Sequence, residues 1–350
     1  MSEEKQKLYN PVVDILRIIS ILAVLIIHTT TRTLETSKYA LMKMPWTLFL
    51  NQVARFAVPL FFMISGFVLE LNYHLHESYL TYLKKRFSRI IIPYIFWSAI
   101  YYYFVYNSNH SANFLSSLLK GDASYQLYFI PALLIFYLLF PLIHDFCNLL
   151  LNKWLLIIFG LIELSLLFYD YNIHPLQIYY PIGIALLNFY VFLLGIVLAK
   201  NQERFKNFIR KWKWLLFLGT ISFAFLVFFE GLNGYLKTQN YLTFYSSWRP
   251  SVLIYTILLS GFLYWVFDRK LQFVNLIKKL SHLSFFVFFI HVIILEAVWY
   301  SVVLKLIQIT NGKIIYQIWF DPLYFLTVTI ISFGLAFIAH KIPYLNKVTG

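Results

Sequence analysis

The sequence contains little charge and almost no cysteine. Charged residues make up 13% of its 350 positions, against about 25% in a soluble globular chain, so much of the polar surface that water requires is missing. The single cysteine, Cys147, excludes an internal disulfide and any cysteine-rich metal site. Hydrophobic residues fill the difference, at 60% of the chain, with a mean hydropathy of +0.70. This composition predicts a protein that is solvated mostly by lipid.

Ten hydrophobic runs approach the length of about 20 residues that a helix needs to cross a bilayer. They cover residues 12–31, 48–70, 90–106, 126–146, 154–170, 178–199, 213–230, 250–267, 283–304 and 316–339. The first run lacks the small-residue cleavage site of a signal peptide and is followed by nine others, so we expect it to be retained. The pattern predicts an all-α, polytopic integral membrane protein with about ten transmembrane helices, in a single domain over residues 1–350.

Acidic residues are scarcer than basic ones, 15 against 29, which leaves a formal net charge of +14. A basic excess is typical of nucleic-acid binding, but no basic stripe or nucleic-acid motif accompanies it here, and we expect no such partner. Membrane proteins collect Lys and Arg in their cytoplasmic loops. If the N-terminus is cytoplasmic, more than twice as many Lys and Arg fall on the cytoplasmic side as on the other. We therefore predict that both termini are cytoplasmic.

Several catalytic motifs are missing as well. The chain contains no GxxxxGK[ST], HExxH or GxSxG pattern. ATP hydrolysis by a P-loop, zinc proteolysis and a serine-hydrolase nucleophile elbow therefore have no support. No repeat of fixed period is present either.

Arg17 and His28 share one face of the first predicted helix. Eleven residues at about 100° each make three turns plus roughly 20°, which places the two side chains in line and about 16 Å apart. Asp14 and Arg32 extend this polar face by one turn in each direction. A charge exposed to lipid is costly, so the face must line the bundle interior or a wet cavity. The alternatives are that Arg17 snorkels to the interface and that His28 caps a carbonyl.

Ser65 and Gly66 form a small patch inside the aromatic stretch 58–70. Such a patch permits the close approach of another helix or of a thin ligand, and the sequence does not decide between them. Glu70 closes this run at its predicted cytoplasmic edge, where simple hydration would also account for a carboxylate.

Arg86 and Arg89 are three residues apart and share a helical face at the predicted cytoplasmic mouth. Two neighbouring guanidinium groups suit a phosphate or a pyrophosphate. The same cluster would also arise because Lys and Arg collect in cytoplasmic loops, and it would then contact anionic lipid headgroups. The sequence leaves both interpretations open.

Further titratable residues lie inside hydrophobic runs. His291 occupies an aromatic run, and Glu296 follows it five residues later on a different helical face, so the two do not form a dyad on one helix. Glu163 is a carboxylate in the middle of the fifth run. A titratable group inside a span is a functional hypothesis by default.

Together these motifs resemble the acyltransferase-3 family of integral-membrane acyltransferases, which modify cell-envelope glycans and other acceptors. That family shows an Arg and a His with ten residues between them, then a phenylalanine pair with Ser-Gly-aromatic, then Arg-x-x-Arg before a Pro, and late in the chain Ser-aromatic before a His. The matching residues, in the same order, are Arg17 and His28; Phe61, Phe62, Ser65, Gly66 and Phe67; Arg86, Arg89 and Pro93; and Ser284, Phe285 and His291. The chain departs from the family in its fourth helix, where Gln126 and Tyr128 stand in place of a frequent His and Trp.

The resemblance implies an acyl-CoA donor, with acetyl-CoA expected, and an acceptor hydroxyl on a cell-envelope glycan or a lipid-linked sugar. It implies that Arg17, Arg86 and Arg89 bind the donor, and that His28 takes the acceptor's proton as a base or carries the acyl group itself. Substrate binding or structural support would fall to Ser65, Gly66, Glu70 and His291. No tightly bound cofactor and no metal are expected. The implied location is the bacterial cytoplasmic membrane, in contact with its lipids, and a homodimer is left open.

The alternative function is that of a polysaccharide exporter or flippase without acyl transfer, because some relatives carry that label and an aromatic interior suits sugars in both cases. An ion-coupled transporter would show carboxylates paired across interrupted helices, and the sequence shows no such pairing. A purely structural partner would leave Arg17 and His28 unexplained.

Overall fold

Helices form the regular structure of this chain. The structure is a computed structural model that describes residues 10–36, 44–73, 77–106, 113–173, 175, 180–238, 246–269 and 272–342. No strand occurs within these ranges. The predicted all-α fold is confirmed.

Long helices alternate with short connecting ones. In chain order they are α1 (Pro11–Thr36), α2 (Pro45–Val53), α3 (Ala57–Leu71), α4 (Tyr79–Ile100), α5 (Phe114–Lys120), α6 (Phe129–Leu149), α7 (Lys153–Asn172), α8 (Ile182–Leu186), α9 (Phe189–Lys200), α10 (Gln202–Thr238), α11 (Pro250–Phe267), α12 (Val274–Val298), α13 (Leu304–Ile309) and α14 (Phe320–His340). Two π-helical stretches, Tyr101–Val105 and Trp299–Val303, continue α4 and α12, and a 3₁₀ turn covers Lys313–Tyr316.

Eight helical segments of the described chain are long and apolar enough to cross a membrane. They are Pro11–Thr36, Pro45–Leu71, Phe129–Leu149, Lys153–Asn172, Gln202–Lys237, Pro250–Phe267, Val274–Ile309 and Phe320–His340. The predicted run 90–106 is not among them; it forms the second half of α4 and the π-helical stretch that follows. The run 178–199 is divided, from residue 180 onward, between two short helices, α8 and α9. The count of ten transmembrane helices stays a prediction. Both chain ends lie outside the described residues, so the cytoplasmic location of the termini also stays a prediction.

α1 lies at the centre of the bundle. It packs against α2, α3, α11, α12 and α14, and two thirds of its most apolar stretch is buried inside the protein. α7 and α10 bury far less of their surface and form the lipid-facing periphery. The polar face of α1 therefore has neighbouring helices around it, as a charge-bearing face inside a membrane requires.

The mid-span carboxylate Glu163 lies beside the start of α9. α9 begins at Phe189 within a hydrophobic run, so its first backbone N–H groups need acceptors that water cannot supply. The carboxyl group of Glu163 on α7 is buried and lies near the backbone of Phe189 and Tyr190, the first residues of α9. Glu163 therefore lies where α7 packs against the start of α9.

α3 and α9 pack with almost no space between their backbones. A Cβ atom added at Gly66 would lie 2.2 Å from the carbonyl oxygen of Phe192, and one added at Gly195 would lie 2.0 Å from that of Met63. Small residues that allow such contact are common where membrane helices pack. Gly66 thus faces α9 and supports this helix pair.

Replacing Gly195 with alanine is expected to destabilise the protein. The new Cβ overlaps a backbone carbonyl that cannot rotate away, and overpacking of this kind costs about 1–3 kcal/mol. Gly334→Ala in α14 is the matched control, because no atom lies within 4 Å of its added Cβ. Thermal denaturation in detergent should show a lower apparent melting temperature for Gly195→Ala only. Equal melting temperatures for the two variants would contradict this prediction, because α3 and α9 would then accommodate the added Cβ without loss of stability.

Candidate functional site

Two cavities lie along the polar face of α1, one toward each end of it. The cavity around Arg17, here the Arg17 cavity, has a volume of about 310 Å³, and the cavity around His28, here the His28 cavity, has a volume of about 350 Å³. Three aromatic side chains border both: Phe61 of α3, Phe129 of α6 and Phe288 of α12. The cavities therefore adjoin across an aromatic boundary inside the bundle.

The Arg17 cavity brings together the three arginines that the sequence motifs single out. Arg17 of α1 borders it with Arg86 and Arg89 of α4. Ser65 of α3 also borders it, and its hydroxyl donates to the carbonyl oxygen of Phe61 at 2.8 Å. Three positive charges around one small space create a field that attracts anions.

Arg17 is held in place by its neighbours. Its Nη1 donates to Asp14 Oδ1 at 3.1 Å and to Ser281 Oγ at 2.9 Å. Ser281 in turn donates to the same carboxylate oxygen at 2.6 Å. Asp14 therefore offsets part of the charge of Arg17 and ties the start of α1 to α12.

Arg86 and Arg89 are not neutralised in this way. Arg86 donates through Nη2 to the carbonyl oxygen of Asn72 at 3.0 Å and lies 5.7 Å from the centre of the Tyr82 ring. Its Nε is buried and has no hydrogen-bond partner within the described ranges. Neither arginine forms an ion pair with a carboxylate in the part of the chain that the structure describes. An anion in this cavity would meet guanidinium groups with donors to spare.

His28 is half-buried in the wall of the second cavity, among side chains from several helices. The polar members of this wall include Thr31, Arg32, Glu35, Arg55, Gln126, Ser246, Ser247 and Glu296. Its further aromatic members include Tyr125, Tyr128 and Trp248. The His28 ring lies 4.8 Å from the Tyr125 ring, centre to centre. An imidazole that faces such a space is positioned to accept a proton from a bound molecule.

A second histidine packs directly behind His28. The centre of the His291 ring lies 5.2 Å from that of His28, and His291 is fully buried. Its Nδ1 lies 3.0 Å from the carbonyl oxygen of Val287, so Nδ1 carries the proton and donates it. Its Nε2 is buried and has no hydrogen-bond partner among the described residues. Two histidines that are far apart in the sequence, one on α1 and one on α12, thus form one pair.

An ion pair closes the far end of the polar face of α1. Arg32 Nη2 lies 3.2 Å from Glu296 Oε2. Glu296 borders the cavity whereas His291 packs behind it, in agreement with their separation of about 140° around α12. Shortly after Glu296, α12 continues into the π-helix Trp299–Val303, a form that is frequent at functional sites.

Glu70 borders neither cavity. Its Oε2 lies 2.8 Å from His144 Nδ1, and its Oε1 lies 3.6 Å from Lys200 Nζ. Only 12% of its side chain is exposed, so it is not a freely hydrated carboxylate. Glu70 joins α3 to α6 and α9.

Arg55 is the site residue that sequence reasoning missed. The hydrophobic pattern places it within the second run and does not connect it with His28. In the structure it lies in the turn between α2 and α3, is 4% exposed and borders the His28 cavity. The available signal was an arginine inside a hydrophobic run, four residues before Pro59, since a charge at that depth is a functional hypothesis by default.

A comparison with known protein families decides the classification. The family model described as an acyltransferase domain matches residues 10–341, nearly the whole chain. The chain belongs to the acyltransferase-3 family. The resemblance drawn from the sequence motifs is confirmed. Membership of this family, together with the long apolar helices, indicates a multi-pass membrane protein.

This acyltransferase-3 member is similar to curated proteins of staphylococci. It is 27% identical over 262 residues to a "Probable poly-beta-1,6-N-acetyl-D-glucosamine export protein" of Staphylococcus aureus, which covers 72% of each chain. A protein of the same name from Staphylococcus epidermidis is 25% identical over 289 residues, or 79% of this chain and 78% of that one. No solved structure gives a significant match.

Proposed function

We propose that this acyltransferase-3 member transfers an acyl group, with acetyl as the first choice, from cytoplasmic acyl-CoA to a hydroxyl of a cell-envelope glycan or lipid-linked sugar, in the bacterial cytoplasmic membrane. The observation that carries the proposal is the pair of adjoining cavities, one bordered by Arg17, Arg86 and Arg89 and the other by His28. A donor with an anionic head and a reactive group on a long thin arm suits this pair, because its two ends need different surroundings.

The Arg17 cavity would hold the phosphates of CoA. Guanidinium groups bind phosphate through paired N–H donors, which makes the contact both strong and geometrically specific. Arg86 has a buried Nε without a partner among the described residues, and Arg89 lies beside it. Arg17 would contribute less, because Asp14 already pairs with it. In the predicted orientation this cavity lies on the cytoplasmic side.

The pantetheine arm would pass between Phe61, Phe129 and Phe288 and enter the second cavity. These rings border both spaces, so an arm that passes them leaves the arginines and reaches the imidazole. Arg17 and His28 are about 16 Å apart along α1, a separation that suits an extended arm. The aromatic rings would then shield the thioester from water on the donor side.

His28 would act as a general base toward the acceptor. The acceptor hydroxyl gives its proton to the imidazole as its oxygen bonds to the thioester carbonyl carbon. The C–S bond then breaks, and the departing CoA thiolate takes that proton from the imidazolium. Transfer through an acyl-His28 intermediate is a second route. Both routes need an imidazole facing the space where donor and acceptor meet, and His28 has this position.

The acceptor would enter the His28 cavity from the side away from the arginines. Tyr125 and Trp248 offer flat apolar faces, and Arg32 and Glu296 offer hydrogen-bonding groups, a combination that suits a sugar ring. The staphylococcal relatives are named for poly-β-1,6-N-acetyl-D-glucosamine. We therefore propose an amino-sugar polymer as the acceptor class.

Glycan export without acyl transfer is the second candidate function, because the relatives' printed name is that of an export protein. A polysaccharide in transit needs a continuous path as wide as a sugar ring, whereas aromatic rings stand between the two cavities of this protein, where we place only the thin pantetheine arm. Export also gives no role to the His28 imidazole or to the arginines of the Arg17 cavity. Acyl transfer accounts for both.

The envelope glycans of cells with and without this gene distinguish the two functions. Deletion should remove the acyl groups from the glycan while the amount of glycan at the surface stays unchanged. Mass spectrometry of purified glycan measures the acyl content, and labelling of intact cells measures the surface amount. Loss of surface glycan with normal acylation of the glycan retained inside would support export and contradict acyl transfer.

A further inference from the structure

A break in the second hydrophobic run brings a positive charge to the His28 cavity. α2 ends at Val53 and α3 begins at Ala57, with Arg55 in the turn between them. Non-helical backbone at membrane depth is tolerated where it is buried in protein or lines a cavity. Arg55 is 4% exposed and borders the cavity that His28 borders.

Arg55 is tied to the helical turn that carries His28. Its Nη2 donates to Asn51 Oδ1. The amide nitrogen of Asn51 in turn donates to the carbonyl oxygen of Ile27 at 3.2 Å and to Thr30 Oγ1 at 3.0 Å, on either side of His28 in α1. One buried side chain thus sets the position of the guanidinium relative to the imidazole.

The same network extends away from the cavity and makes Asn51 rigid. Gln52 Nε2 donates to Asn51 Oδ1 at 3.1 Å, and Gln52 Oε1 accepts from Arg249 Nη2 at 2.6 Å. Arg249 is fully buried, and its Nη1 lies 3.6 Å from Glu230 Oε2. Buried hydrogen-bond networks hold their members in one arrangement, which is what an electrostatic contribution to catalysis requires.

We propose that Arg55 is a second catalytic residue of the acyl transfer, whose guanidinium stabilises the negative charge that develops on the thioester carbonyl oxygen. This inference rests on the proposed function. As the acceptor oxygen bonds to the carbonyl carbon, the carbonyl oxygen becomes an oxyanion and accepts a hydrogen bond from Arg55. The acceptor proton goes to His28, the C–S bond breaks, and the thiolate leaves with that proton as CoA thiol. Arg55 gains and loses no proton.

Arg55→Gln tests this role. A missing oxyanion donor lowers turnover by about 10²–10³-fold, whereas the dissociation constant of acetyl-CoA should stay within about threefold, because the donor's phosphates bind elsewhere. Turnover is measured as CoA thiol release by the purified protein in nanodiscs with an N-acetylglucosamine oligosaccharide. Arg55→Lys keeps the positive charge but lacks the paired N–H donors of a guanidinium group, and we expect its turnover to lie between those of Arg55→Gln and wild type. It also serves as the test variant if Arg55→Gln does not fold.

Fluoroacetyl-CoA separates a catalytic role from a structural one. Fluorine withdraws electrons and stabilises the oxyanion by itself, so the rate ratio of wild type to variant should be smaller with fluoroacetyl-CoA than with acetyl-CoA. A variant that is merely misfolded or loosened loses the same factor with both donors. An unchanged ratio would overturn the proposal.

Arg210→Gln is the control. It removes a guanidinium that pairs with Asp268, outside the Asn51 network, and Arg210 borders neither cavity. We expect a turnover per folded molecule within about threefold of wild type. If wild-type protein transfers acyl groups and Arg55→Gln is equally active, the role of Arg55 is wrong and the proposed function stands. If wild-type protein transfers none, the proposed function itself fails.

Discussion

Replacing His28 with glutamine is expected to abolish acyl transfer and to leave donor binding intact. Glutamine keeps most of the side-chain volume and some hydrogen bonding but cannot relay a proton, and the loss of a general base costs about 10²–10⁴-fold in rate. His28 borders the cavity that we assign to the acceptor, whereas the arginines that we assign to the donor border the other one. Cells whose only copy carries His28→Gln should therefore display glycan without its acyl group, as measured by mass spectrometry.

His340→Gln is the control for this substitution. His340 lies at the exposed end of α14 and borders neither cavity, so glycan acylation should remain at the wild-type level. An exporter would tolerate His28→Gln and would deliver glycan of unaltered acylation. Normal acylation in the His28→Gln strain would remove His28 from the mechanism.

The double substitution Arg86→Ala and Arg89→Ala is expected to weaken acyl-CoA binding by about 100-fold. A hydrogen bond between charged groups contributes about 1.5–3 kcal/mol, which is about tenfold or more in affinity for each lost contact. The loss should be larger at low salt, because ions then screen charge contacts less. Calorimetry with acetyl-CoA at two salt concentrations measures both effects.

Lys84→Ala with Lys85→Ala is the matched control for the arginine pair. It removes the same charge from the same helix, but both lysines are exposed and border neither cavity. We expect donor affinity within about twofold of wild type. If the two double variants lose equal affinity, the cluster acts through its net charge near the membrane, as the headgroup interpretation holds, and not through phosphate contacts.

The sequence by itself determined the features that depend on one helix or on composition. Lipid as the solvent follows from the scarcity of charge, and the all-α fold follows because a chain in lipid must satisfy its backbone internally. The common face of Arg17 and His28 follows from helical periodicity, which acts within one helix and needs no neighbour. The order of the short motifs led to the acyltransferase-3 family, which the family match confirms.

Tertiary structure alone decided which helices bring their polar residues together. His28 and His291 lie in different helices, and their contact depends on the packing of α1 against α12, which no periodicity within either helix encodes. The turn at Arg55 does not show in hydropathy averaged over a span, by which Pro45–Leu71 counts as one apolar segment although α2 ends at Val53. The division of the interior by Phe61, Phe129 and Phe288 likewise arises where three helices meet. Side-chain packing between helices depends on shape, and the hydrophobic pattern of a membrane sequence records depth in lipid but not shape.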